Sequence, residues 1–130
     1  MEPPPRRTPF SDAELAGFKT LIDEKRARAL AEAEQMRARL RQSREAGGDT
    51  AFSLHMADAG TDAADREQMH ALIARQRTFV GHLERALERI AHKTYGVCRV
   101  SGEPISKERL KAVPHTETSI AAKLDEQKRR

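Results

Sequence analysis

Met56-Ala57-Asp58-Ala59-Gly60-Thr61-Asp62-Ala63-Ala64-Asp65-Arg66 stands between two long charged segments with helical periodicity, and its Gly60 and small residues interrupt the pattern. It reads as the tip of a hairpin. Around it Asp49, Asp58, Asp62, Asp65 and Glu67 are opposed only by Arg66, although the chain as a whole carries a formal charge of +4. An acidic tip on a basic chain needs a physical reason.

Upstream of the tip, Leu15, Phe18, Ile22, Ala29, Ala33, Met36 and Leu40 recur at intervals of three, four or seven, so they share one stripe of a helix. Ser11 or Asp12 can cap its first amides, with Glu14 near the positive end of the dipole. Gly47-Gly48-Asp49 ends the run, because each glycine costs about 1 kcal/mol relative to alanine in a helix. Downstream, a second helix is expected to start near Thr61 or Asp62 and run to about Lys93. Its stripe is Met69, Leu72, Phe79, Leu83, Leu87 and Ile90, with Gln76 in the seam to set register. Stripes of matching length predict an antiparallel two-helix coiled coil over residues 11–93, with an acidic tip at about 46–66. A connection as long as 46–61 is more often functional than a bare turn.

Composition agrees with an elongated, mainly α chain. The 130 residues are 38% hydrophobic and 34% charged, with no Trp and one Tyr, which suits long helices that bury a seam rather than a large core. A single cysteine excludes an intrachain disulfide. Neither a signal-peptide pattern nor an 18-residue apolar run occurs, so a cytoplasmic protein without membrane attachment is expected. Residues 1–10 hold four prolines and read as a flexible arm. After Lys93, Gly96 can take the positive φ that ends the second helix. Residues 94–130 are turn-rich, with one short helical turn at Ser106 to Leu110 and a terminal helix carrying Ile120 and Leu124. A small C-terminal lobe filled by Val97, Val100, Ile105, Leu110, Val113, Ile120 and Leu124 is the expectation.

Ala86-Leu87-Glu88-Arg89-Ile90, Thr94-Tyr95-Gly96-Val97-Cys98, Gly102-Glu103-Pro104-Ile105 and Arg109-Leu110-Lys111-Ala112-Val113-Pro114 resemble, in order and spacing, the C-terminal lobe of the DksA/TraR family. Asp62-Ala63-Ala64-Asp65-Arg66 resembles that family's coiled-coil tip. The resemblance implies a transcription regulator of the stringent response that binds bacterial RNA polymerase through its secondary channel, places Asp62 and Asp65 near the active centre, and does not bind DNA directly. Asp58 and Glu67 would extend the tip, and Glu67 stands where the family commonly has Ala. The bottom-up reading of the two aspartates, helix N-capping and dipole compensation, stays open beside this role.

The resemblance also bears on cofactors. The family's lobe commonly holds zinc with four cysteines, and the corresponding positions here are Cys98, Ser101, Ser119 and Ala122. Tetrahedral zinc needs thiolate or imidazole donors, and scattered His92 and His115 do not complete a set, so no zinc is expected and packing is expected to stabilise the lobe. Cys98 then reads as a small buried hydrophobe. Some members bind guanosine tetraphosphate at the polymerase interface. Lys123 falls at one of the basic positions that implies, while His82 and Val113 replace others and weaken phosphate neutralisation.

No Gly-rich phosphate loop or nucleophile–base spacing occurs, so no enzymatic activity is expected. The alternative from a different class is a basic coiled coil that binds nucleic acid, through Arg37, Arg39, Arg41 and Arg44, or that self-associates. The scarcity of aromatics counts against base stacking, and a closed hairpin leaves no stripe free, which favours a monomer.

Overall fold

The computed structural model describes the backbone of residues 7–45 and 49–129, and the side chains of 7–43 and 63–128. Four helices follow in order: α1 (Asp12–Glu45), α2 (Asp49–Ala91), α3 (Lys107–Ala112) and α4 (Ile120–Arg129). Among the described residues no strand forms, and Val97 and Pro104 make an isolated antiparallel bridge. The fold is mainly α, a coiled-coil hairpin of α1 on α2 followed by a small region with a terminal helix, as the periodicity predicts.

α1 begins with a reciprocal cap. The Ser11 amide donates to Oε1 of Glu14 at 3.1 Å, and the Glu14 amide donates to Oγ of Ser11 at 3.2 Å. The start of α2 departs from expectation. It lies at Asp49 rather than near Thr61, and the helix runs through Gly60 without a break. One glycine costs about 1 kcal/mol, which the alanines, leucine and methionines on either side of it offset through their own helix preference. The long connection expected over residues 46–61 is therefore helical from Asp49 onward, and residues 46–48, like residues 1–6 of the Pro-rich arm, lie outside the described residues.

The described chain forms two compact units, Met1–Arg26 with Gly81–Arg130, and Ala27–Val80. In the second, Ala29 and Ala33 of α1 and Ile73 and Val80 of α2 are buried, and Gln76 Nε2 donates to Glu32 Oε2 at 2.6 Å across the helices. The α2 stripe is shifted from the expected one: Ile73 is 7% exposed and Leu72 is 36% exposed. Met69, Ile73, Gln76, Val80, Leu83, Leu87 and Ile90 alternate four and three, which keeps one seam on one side of the helix, whereas Leu72 falls off it. Gln76 does sit in that seam.

In the first unit Lys93 Nζ meets Asp12 Oδ1 at 2.7 Å and Arg26 meets Glu84 at 3.4 Å, so residue numbers rise along one helix as they fall along the other, the signature of an antiparallel pair. Leu15, Phe18, Ile22, Leu83, Ala86 and Ile90 are buried between them. α2 ends in paired bonds from the Thr94 amide to the Arg89 carbonyl at 2.9 Å and from the Lys93 amide to the Ile90 carbonyl at 3.1 Å. Lys93, at φ 60°, takes the left-handed position of this cap. Gly96 also has a positive φ of 84°, as expected, but it serves the turn that follows and not the helix end.

Below that turn the lobe is built on Tyr95, which is fully buried and packs its ring 5.3 Å from Phe18 and 6.4 Å from Phe10. Its hydroxyl donates to the Pro114 carbonyl at 2.8 Å. Cys98, Ile105, Leu110 and Ala122 complete this core. Val100, Ile120 and Leu124, expected inside, are more than half exposed, and Val97 and Val113 are half-buried. Two arginines do what those side chains do not. Arg89 reaches Glu117 Oε1 at 3.0 Å and the His115 carbonyl at 3.2 Å, and Arg109 Nε reaches the Thr118 carbonyl at 2.8 Å. They fix the loop that leads into α4.

Candidate functional site

Asp65 and Glu67 are exposed on α2, and Asp58 and Asp62 belong to the same helix with side chains outside the described set. Asp62 and Asp65 lie three apart on a continuous helix and so share a face. Neither is a cap. Asp65 falls sixteen residues after Asp49, where all backbone amides have helical acceptors and an aspartate is a poor helix former. The capping reading of these acids therefore lapses.

At the four positions matching zinc cysteines, each side chain has a different task. The Ser119 hydroxyl accepts the Ala122 amide at 3.2 Å and so caps α4, the Ser101 hydroxyl accepts the Glu103 amide at 3.2 Å in a turn, and Ala122 is buried. Cys98 is 1% exposed. Burial raises its thiol, but hydrogen bonds from the Ser101 side chain and from the amides of Ser101, Ser119 and Val100 outweigh this and bring it down to about 6. Cys98 is buried in the lobe core, as expected.

A second group of residues converges in the first unit. The rings of His82 and His115 stack at 5.6 Å with 24° between planes, and His82 Nδ1 lies 2.7 Å from Arg85. Burial first, then the charges of His82, Arg89, Lys25 and Lys123, push His115 below its ordinary value. Lys123, singled out from sequence, therefore lies in a basic cluster with Lys25, Arg85 and Arg89, of which only Arg89 falls within a quoted motif. The folded protein binds the His115 proton less tightly than the unfolded chain. The resulting stability is present above about pH 6.5 and is lost as pH falls through the lower folded value. The melting temperature of wild type should drop more between pH 7.5 and 5 than that of His115→Asn. Asp12, Glu14 and Glu34 are held below the ordinary carboxylate range by Lys93, Lys107 and Arg41, so they titrate outside this window.

Residues 93–128 match the prokaryotic dksA/traR C4-type zinc finger. Over 94 residues the chain is 32% identical to the RNA polymerase-binding transcription factor DksA of Caulobacter vibrioides, covering 69% of this chain and 66% of that one. The chain belongs to the DksA/TraR family. The solved structure of transcription factor DksA2 from Pseudomonas aeruginosa superposes with a TM-score of 0.79 at 28% identity, over 90% of this chain and 85% of that one. General stress protein 16O of Bacillus subtilis is 38% identical over 71 residues, and the match spans 55% of this chain but only 44% of that relative's length.

The family match corrects the expectation that zinc plays no part, because the lobe it identifies is a zinc-binding type. The donors at the four matched positions are one thiol, two hydroxyls and a methyl, and among the described residues no group of three or more His, Cys, Asp or Glu could hold a metal ion. A four-thiolate site cannot form from these residues. Among the described residues no helix is long and apolar enough to cross a membrane.

Proposed function

We propose that this chain binds RNA polymerase and regulates transcription initiation, entering through the secondary channel with Asp62 and Asp65 as the groups that act near the active centre. The observation that carries it is Asp65: an exposed carboxylate inside a helix, with no cap to serve, on a chain whose net charge is positive. A relative that covers most of the chain is named for polymerase binding, which supports the partner. Carboxylates in a partly water-excluded channel act strongly on neighbouring Arg, Lys and metal ions, because attraction grows as the local dielectric falls. Asp58 and Glu67 add to the local field. Lys123, in its basic cluster, is the residue for a guanosine tetraphosphate contact. In this reading the chain works as a monomer in the cytoplasm, contacts no DNA, and catalyses nothing itself.

The alternative of nucleic-acid binding through Arg37, Arg39, Arg41 and Arg44 finds less support, since Arg37 and Arg41 both turn to Glu34, at 3.8 and 2.9 Å. The test is promoter-complex lifetime with wild type and Asp62→Asn/Asp65→Asn. The double variant should lose its effect on lifetime yet hold core polymerase within about twofold of wild type, since exposed substitutions shift free energies by about 0.5 kcal/mol or less. Equal loss of binding and effect would make the acids docking residues, and unchanged lifetimes would remove them from the mechanism.

A further inference from the structure

In the unit Ala27–Val80, α1 and α2 enclose a groove of about 400 Å³ lined by Arg37, Leu40, His70, Ile73, Ala74 and Arg77. The residues from α2 recur at three or four and seven, so they form one ridge, with Arg37 and Leu40 of α1 opposite. Its floor is apolar: Ile73 is buried and Leu40 half-buried. Its rim is cationic. No Asp or Glu lines it, and among the described residues neither Arg77 nor His70 has a hydrogen bond or ion pair. Arg37 is only loosely held, 3.8 Å from a Glu34 carboxylate whose other oxygen binds Arg41 at 2.9 Å.

Arg77, with no ion pair among the described residues, and Arg37, which shares the Glu34 carboxylate with Arg41, stand beside an apolar floor and form an incomplete arrangement. A planar guanidinium pairs best with a carboxylate or phosphate fork, and the floor adds area that only an apolar side chain can fill. A phosphate backbone would supply the charge and leave the half-buried Leu40 uncovered, and the lining has no aromatic on which a base could stack. An acidic peptide with an aliphatic neighbour supplies both.

We propose that this groove docks an acidic segment of RNA polymerase, with Arg37 and Arg77 clamping its carboxylates and Leu40, beside the buried Ile73, receiving the adjoining aliphatic side chain. This rests on the polymerase reading above and adds to it a site of attachment separate from the tip acids. Arg37 and Arg77 set affinity, whereas Asp62 and Asp65 set the effect.

The test measures binding of the full chain to core polymerase for wild type, for Arg37→Ala/Arg77→Ala, and for Arg28→Ala/Arg75→Ala. The last pair removes the same charge from exposed arginines of the same unit that do not line the groove. The groove pair should weaken binding on the order of 10- to 100-fold and the control pair by about twofold or less, with unchanged melting temperatures for both. A photo-crosslinker at Ala74 should capture a polymerase peptide that contains Asp or Glu. If wild type does not bind polymerase, the functional reading itself fails. If wild type binds and the two pairs weaken it equally, or the captured peptide has no carboxylate, the groove proposal alone is overturned. A groove pair that binds polymerase normally but loses affinity for a DNA duplex would also overturn it, by showing a phosphate occupant.

Discussion

Gly96→Val is expected to destabilise the protein by about 2–5 kcal/mol, of which about 1–2 comes from placing an L-residue in the left-handed region and about 1–3 from overpacking. At φ 84° the backbone of Gly96 points its missing side chain at Phe10: a Cβ there would overlap Cε2 of that ring and lie 2.9 Å from Cδ2. The ring cannot step aside without cost. It packs 5.3 Å from Phe18 and 6.4 Å from Tyr95, and the segment carrying it is tied down by the Thr8 amide on the Lys93 carbonyl at 2.7 Å. Gly17 is the contrasting case, helical and with nothing within 4 Å of its would-be Cβ, so Gly17→Ala should stabilise by about 0.5–1 kcal/mol. Urea denaturation of both, with Phe10→Ala as a second background, separates the two causes for Gly96. Removing the ring should recover the overpacking share and leave the backbone share, giving a non-additive cycle. Strict additivity would show that the ring is not the obstacle.

The helical hairpin was legible because its period repeats over many turns, and one misplaced residue does not spoil the average. Leu72 shows the limit: a leucine looks like seam, but the alternation of four and three through Gln76 and Val80 puts Ile73 there instead. Gly60 misled for the opposite reason. A local penalty of about 1 kcal/mol suggests a break, although the helix formers around it decide the outcome. In the lobe the pattern has no period to average over. Val100, Ile120 and Leu124 could not be told from Ile105 and Leu110 by hydropathy, and the bonds of Arg89 and Arg109 to loop carbonyls leave no sequence trace. The acids of the site were visible as a local charge imbalance. Their freedom from capping was not, because it depends on where α2 starts. The groove was invisible altogether, since Arg37 and Arg77 stand on different helices and become neighbours only in the hairpin.

Tyr95 offers the other large effect and distinguishes a hydrogen bond from packing within one side chain. Tyr95→Ala empties a fully buried ring site, for which aromatic truncations cost about 3–5 kcal/mol, and leaves Phe10 and Phe18 without their shared neighbour. Tyr95→Phe keeps the ring and removes only the donor to the Pro114 carbonyl. Pro114 is itself fully buried, so the orphaned acceptor should cost about 1–3 kcal/mol. Burial pushes the phenol above its ordinary value despite the opposing charge of Arg89, so it remains a neutral donor through neutral and mildly alkaline pH. The order wild type, Tyr95→Phe, Tyr95→Ala in denaturant midpoint is therefore expected. A phenylalanine variant as stable as wild type would mean that the Pro114 carbonyl finds another donor, and an alanine variant no worse than the phenylalanine one would mean that the lobe does not depend on its ring. Because Pro114 leads into the loop that Arg89 and Arg109 grip, loss of Tyr95 should also loosen the approach to α4. Hydrogen exchange at Thr116 and Thr118 should then rise in the phenylalanine variant before the helices exchange.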